Sequence, residues 1–242
     1  MEGYIHSYQT LGGADGPGVR FVVFMQGCPL RCIYCHNPDT WEFGKGFKAD
    51  PKEVFEKIKR YTSYFGDRGG VTISGGEPLA QGRFVKELLK LCRENEINTA
   101  IDTSGTIIDE HTEEILENLD VCLLDIKFCD NEIYEKHTGA SLSRVLEFLD
   151  FLDKRGIDTW IRQVIVPGIN DSREDMDLLC SLVKGKNCVK KIELLPFRKL
   201  CVEKYEEMGV EFPLKDTPEA SGKMIVELQR YVDGGIMSSA VK

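Results

Sequence analysis

The chain has 242 residues, 42% of them hydrophobic and 29% charged, which suits a packed domain and excludes disordered and fibrous classes. Its formal net charge of −9 gives a surface that repels phosphate backbones and argues against a nucleic-acid partner. The opening MEGYIHSYQT has no basic segment and no apolar run, and nothing later approaches the ~20 apolar residues of a membrane helix, so a cytoplasmic protein with no membrane contact is expected.

An extended stretch at 3–9 leads the chain. Short runs rich in β-branched and aromatic residues follow at 21–26, 71–74, 99–103, 121–127, 159–166 and 191–195. Each is mostly apolar on both faces, as in buried parallel strands. Amphipathic helices are expected between them. Val54, Phe55, Ile58, Tyr61 and Phe65 mark one over 51–65, started by Asp50 as cap and Pro51 as first residue. Phe84, Val85, Leu88, Leu89 and Cys92 mark a second over 84–92, and Leu142, Val145, Leu146, Leu149 and Leu152 a third over 142–152. Two more are expected near 172–184 and 218–232.

Six strands alternating with helices predict repeated right-handed βα units. Six are too few for a closed eight-stranded barrel, so the expected fold is a single-domain α/β partial (β/α)6 barrel of the TIM type, with an open doubly wound sheet as the alternative. The expected domain spans 1–242, with an extension strand over about 1–19, the partial barrel over about 20–200 and a helical segment over about 201–242. In both architectures chemistry belongs at the C-terminal ends of the strands.

The strongest chemical signal follows the first of these strands. Cys28, Cys32 and Cys35 lie four and three residues apart, so three thiolates can converge on one iron–sulfur cubane from one loop. Three ligands leave one iron of a [4Fe–4S] cluster open to substrate. A zinc site or buried core thiols are the competing readings, but zinc needs a second ligand pair and no other Cys-x-x-Cys exists. The other six cysteines, Cys92, Cys122, Cys129, Cys180, Cys188 and Cys201, are scattered and read as small hydrophobes.

Polar residues at the later strand ends are the next candidates. Ser74-Gly75-Gly76-Glu77 ends a strand, where two glycines let a ligand approach the backbone; the alternative is a plain turn with a surface Glu. Asp102, Thr103 and Asp125 end two more strands, with Lys127 on the same side as Asp125. Arg162 is a charge inside an apolar strand and needs a carboxylate from a ligand or a neighbour such as Glu193.

The segments DGPGVRF (15–21), GCPLRCIYCHNPDTW (27–41), VTISGGEP (71–78), AIDTSG (100–105), LLDIK (123–127), WIRQVIVPG (160–168) and KIELLPF (191–197) occur in this order. Together they resemble the radical S-adenosylmethionine (SAM) superfamily, and within it the glycyl-radical-enzyme activating enzymes. The absence of a cysteine-rich insert between Cys35 and Asp50 resembles the short type that serves pyruvate formate-lyase. The resemblance implies a [4Fe–4S] cluster on Cys28, Cys32 and Cys35, with SAM on the open iron. A 5′-deoxyadenosyl radical then takes a hydrogen atom from a glycine Cα of the partner enzyme. By the same resemblance, SAM meets Tyr34, His36, Gly75, Gly76, Glu77, Asp125, Ile126, Lys127 and Arg162. Asp102, Thr103 and Asp125 hold a monovalent cation, Na+ or K+, and Asp15 and Arg20 contact the partner's glycine loop. A flavodoxin or ferredoxin is the implied reductant, and a monomer is expected. Arg198 stands where the family has a histidine over the SAM adenosine, and could stack on adenine. A different glycyl radical enzyme as partner, a small-molecule substrate, or an electron carrier are the alternatives.

Overall fold

The computed structural model describes residues 2–239. Six parallel strands form the body of the sheet: β2 (Arg20–Met25), β4 (Gly70–Gly75), β5 (Asn98–Thr103), β6 (Val121–Asp125), β7 (Asp158–Ile165) and β8 (Val189–Pro196). Each expected strand is present. Two antiparallel strands, β1 (Gly3–Gly12) and β3 (Phe47–Ala49), extend one edge, giving the order β3-β1-β2-β4-β5-β6-β7-β8.

That order decides between the two architectures. A doubly wound sheet reverses its strand order at a switch point. Here each parallel strand lies beside the next in sequence, so right-handed crossovers put the helices on one side and the sheet curves as a partial barrel.

The helices are α1 (Pro51–Lys59), α2 (Gly82–Glu94), α3 (Thr112–Glu117), α4 (Asn131–Thr138), α5 (Leu142–Arg155), α6 (Arg173–Val183), α7 (Val202–Glu207) and α8 (Gly222–Ser239). Asp50 caps α1 as expected, accepting from Lys52 N at 3.0 Å while Glu53 reaches back to the Asp50 amide. The helix ends at Lys59, and a 3-10 turn over Thr62–Tyr64 carries the chain on. Residues 240–242 of the expected C-terminal segment, and residue 1, lie outside the described residues.

The outer face of the sheet is apolar. Val71, Ile73, Ile101, Cys122, Leu124 and Ile161 are each 0% exposed and join one core with Val54, Leu88, Val145 and Leu149 of the helices. At roughly 1.5–3 kcal/mol for each fully buried large aliphatic side chain, this layer dominates the stability of the fold. The inner face differs from the expectation of strands apolar on both sides. Only Ala100, Val121 and Leu123, with Trp160 against them, form an apolar plug. Above it the same strands present Ser74, Asp102, Asp125 and Arg162, which is the period-two alternation of a face exposed to a cavity.

The two edges are finished differently. Past β8 there is no further strand among the described residues, and α8 lies over this edge: Gln229 Oε1 accepts from Leu194 N and its Nε2 donates to Ile192 O, both at 2.9 Å.

Candidate active site

The loop after β2 is tied down from both sides. Gly27 N donates to Thr40 O at 2.7 Å, and Cys28 N to Trp41 O at 3.2 Å. Arg31 N donates to Thr138 O at 2.8 Å and Ile33 N to His137 O at 3.0 Å, which fastens the loop to the end of α4. Buried Gln26 adds bonds to Asp39 O and Glu42 O. Fastened at these points, the loop carrying Cys28, Cys32 and Cys35 is held by the surrounding scaffold.

All three cysteines face one cavity of about 220 Å³ at the C-terminal ends of the strands. No group of three His, Cys, Asp or Glu among the described residues is arranged to hold a single metal ion. In a cubane each cysteine binds a different iron. Burial pushes the Cys28 and Cys32 thiols up to about 12, with Glu77 adding to the effect at Cys28 and Lys127 opposing it at Cys32. The donors are therefore neutral thiols until a metal ionises them.

Glu77 is not a surface residue: it is 1% exposed. Its carboxylate accepts from Leu79 N at 3.1 Å, Thr103 Oγ1 at 2.5 Å and Ser104 N at 2.9 Å, and from Ser104 Oγ. It locks the end of β4 to the end of β5. Before it, Gly75 has φ +106 and approaches β2 so closely that a Cβ would lie 2.3 Å from Met25 N.

The charged groups form an alternating row. Arg162 Nη1 lies 3.1 Å from Asp102 Oδ2, which also accepts from Ser74 Oγ at 3.0 Å. Lys127 pairs with Asp125. Burial opposes charge on both bases, yet Asp102 and Asp125 hold Arg162 protonated, and Asp125 holds Lys127 so. The carboxylate partner anticipated in Glu193 is the weaker one, 3.9 Å from Arg162 Nε. That Nε is buried and has no hydrogen-bond partner. An orphaned cationic N–H on the wall of a cavity fits a ligand acceptor such as the carboxylate of SAM.

Burial raises the Asp102 carboxyl to about 6, with Asp125 adding and Arg162 opposing. A folded-state value above the unfolded one means that this group's contribution to stability is full below about pH 4 and is lost as pH rises through about 6. In the metal-free chain the native protein should therefore lose stability relative to Asp102→Asn between these limits. Urea unfolding of both at pH 4.5 and 7 checks it; a constant difference refutes it.

The cavity thus gathers Tyr34 and His36 with the cysteines, Gly75, Gly76 and Glu77 from β4, Asp102 and Thr103 from β5, Asp125 and Lys127 from β6, and Arg162 from β7. Ser74 and Ser104 also line it and were missed, although both sit beside predicted residues at strand ends.

Four expected residues do not line the cavity. Ile126 is 0% exposed in the core, its amide bonded to Arg162 O at 3.0 Å and its carbonyl to Gln163 Nε2 at 3.1 Å. The Arg198 side chain turns away to Ala220 O at 2.7 Å, and the residue meets the site only through its carbonyl, 2.9 Å from His36 Nε2. Asp15 is half-buried beneath the site, its carbonyl accepting from Thr72 Oγ1 at 2.7 Å.

Arg20 is 0% exposed and sits at the start of β2, the opposite end from the cavity. Its guanidinium donates to Thr72 Oγ1 at 2.9 Å, Asn98 Oδ1 at 2.7 Å and the Val71 carbonyl. A partner cannot reach it, and its role is to close the bottom of the sheet. Arg20→Ala should cost about 3–5 kcal/mol by stranding those acceptors while leaving the KM for a protein substrate unchanged. A melting curve and a substrate titration check the two halves.

The model of the radical SAM superfamily matches residues 22–180. A pyruvate formate-lyase-activating enzyme of Clostridium pasteurianum is 44% identical over 232 residues, covering 95% of this chain and 97% of that protein. A protein of the same name from Staphylococcus epidermidis is 38% identical, with 96% of each chain covered. Among solved structures, Streptococcus suis SuiB bound to the precursor peptide SuiA superposes with a TM-score of 0.68 at 18% identity, over 91% of this chain and 46% of that one, a likeness of fold. Family model, end-to-end relatives and the thiol-lined cavity agree: the chain belongs to the radical SAM superfamily, in the family of its pyruvate formate-lyase-activating relatives.

Proposed function

We propose that this chain activates a glycyl radical enzyme, pyruvate formate-lyase, by generating a radical from SAM. The observation that carries the reading is the convergence of Cys28, Cys32 and Cys35 on a cavity walled by Glu77, Asp102, Asp125, Lys127 and Arg162. The near-complete match to relatives of that name supports the partner.

When bound, a [4Fe–4S] cluster and SAM supply one electron and a 5′-deoxyadenosyl radical, which removes hydrogen from a glycine Cα of the partner. The protein's part is to hold and exclude. Cys28, Cys32 and Cys35 would hold three irons of the cluster, and an iron without a protein ligand would be available to SAM. Gly75 and Gly76 let the ligand lie against main chain, and Glu77 keeps that wall rigid. Arg162 offers its free Nε to a carboxylate, and Lys127 keeps Asp125 in place. His36, fixed by the Arg198 carbonyl, borders the adenosine end, whereas Arg198 itself does not stack there.

A monovalent cation at Asp102, Thr103 and Asp125 belongs to the same reading. It requires Thr103 and the two Asp residues to exchange present partners, since Thr103 bonds Glu77, Asp102 bonds Arg162 and Asp125 bonds Lys127. Asp15, within the field of Arg162 and Arg20, borders the path of the partner's glycine loop. A flavodoxin or ferredoxin is the reductant, and the chain acts as a cytoplasmic monomer; no described helix is long and apolar enough to cross a membrane.

The test is anaerobic reconstitution with iron and sulfide, then incubation with SAM, a low-potential reductant and pyruvate formate-lyase. The expected result is the EPR doublet of a glycyl radical on the partner. Zinc without sulfide, or SAM cleavage with no radical on any glycyl radical enzyme, overturns the reading.

A further inference from the structure

Arg31 lies inside the cysteine loop, between Cys28 and Cys32, and is exposed. An exposed arginine ordinarily carries its charged head out into water. This one folds back on its own loop. Its Nη1 donates to Cys28 O and to Leu30 O, both at 2.8 Å, and the guanidinium carbon lies 4.9 Å from the centroid of the Trp41 ring. Trp41 is held in turn, edge-on against Tyr205 at 5.7 Å and 86°. Among the described residues no carboxylate pairs with Arg31, although the chain carries a net charge of −9. The cation is therefore fixed in place and has no ion-pair partner.

Satisfying two loop carbonyls needs only a donor, and a neutral one would serve. The permanent charge has a second consequence. Cys28 lines the cavity and Arg31 does not, so the guanidinium sits behind the Cys28 main chain, bonded to the carbonyl of a ligand residue. Resting on the cluster reading above, we propose that Arg31 is a positioning residue whose fixed guanidinium raises the reduction potential of the cluster held by Cys28, Cys32 and Cys35.

The physical reason is Coulombic. Reduction adds one negative charge to the cluster and its thiolates, so a nearby cation stabilises the reduced form more than the oxidised one. A guanidinium stays charged at every working pH. Its two carbonyl bonds and the indole beneath it keep the charge beside the loop, where a freely rotating side chain would let it drift into solvent.

The test uses the reconstituted holoprotein and reads the cluster by EPR redox titration rather than turnover. Arg31→Gln keeps a donor for the carbonyls and removes the charge, so its midpoint should fall. The expected size is roughly a threefold to tenfold loss of reduced cluster at fixed poise, tenfold being about 59 mV for a one-electron couple. Arg31→Lys keeps the charge on a freer stem and should recover more than half of that fall. A native midpoint in Arg31→Gln, at native iron and sulfide content, overturns the proposal. So does an Arg31→Lys midpoint as low as that of Arg31→Gln, which would leave Arg31 as a clamp alone. Where Arg31→Gln takes up no cluster, Arg31→His replaces it. Its midpoint should rise from about pH 8 to about pH 5.5, as the imidazole gains its charge, by more than that of the native chain. Equal responses to pH overturn the proposal. Failure of the native chain to take up iron and sulfide is a separate outcome that removes the cluster reading itself.

Discussion

Cys32→Ala should abolish cluster assembly and glycyl-radical formation while leaving the metal-free fold in place. Cys32 lies deepest of the three cysteines, and its carbonyl accepts the Cys35 amide at 3.0 Å, a bond that the substitution keeps. The loop is anchored elsewhere, at Gly27, Cys28, Arg31 and Ile33, so loss of one sulfur should cost the apo chain only about 1 kcal/mol. Two thiolates cannot retain a cubane against solvent, so iron and sulfide should fall to background and the partner should show no radical doublet. Cys92→Ala is the contrast. Cys92 is 0% exposed in the helix–sheet core, so its loss should cost a similar ~1 kcal/mol and leave cluster content unchanged. The two effects separate ligand from packing. A Cys32→Ala chain that keeps stoichiometric iron and sulfide would sink the assignment.

Glu77 carries the second large effect, and its signature is stability. Its carboxylate receives two backbone amides and two hydroxyls, from Leu79, Thr103 and Ser104. All four are donors. Glu77→Gln turns an NH2 toward a position that only an acceptor can fill, and Glu77→Ala strands every donor. With unsatisfied buried groups costing about 1–3 kcal/mol each, Glu77→Ala should lose roughly 3–5 kcal/mol, on the order of 10 °C in Tm for a domain of this size. Glu77→Gln should fall between it and the native chain. SAM affinity should drop with both, because the strand end that forms the cavity wall loosens. A Glu77→Gln chain with native Tm would show that the acceptor network is idle.

Much of this was legible in the sequence, for identifiable reasons. Six β-rich runs separated by amphipathic stripes specify sequential βα units, and the cysteine spacing is a local signal within one loop. Asp102, Asp125, Lys127 and Arg162 stood out one by one as charges at strand ends or inside an apolar strand, but that they share one polar inner face emerges only when the strands lie side by side. What escaped notice depends on contacts distant in sequence or on short elements. Helices α3, α4 and α7, of six to eight residues, give too few turns for a periodic pattern. Arg20 finds partners 52 and 78 residues away, so nothing near it distinguishes a buried strut from a docking residue. The direction of the Arg198 side chain is set by Ala220, which no local pattern places nearby.

A barrel left open has two raw margins, and each could recruit a strand from another molecule. At one, β3 is three residues long and gives little for a foreign strand to grip. At the other, the Gln229 amide occupies the Leu194 and Ile192 main-chain groups and so imitates one rung of a ninth strand. The single side chain acts as an insulator: it keeps the crescent from polymerising edge to edge while leaving its concave face accessible. A Gln229→Ala chain should accordingly be the one that clouds on concentration, with its chemistry intact in whatever stays dispersed.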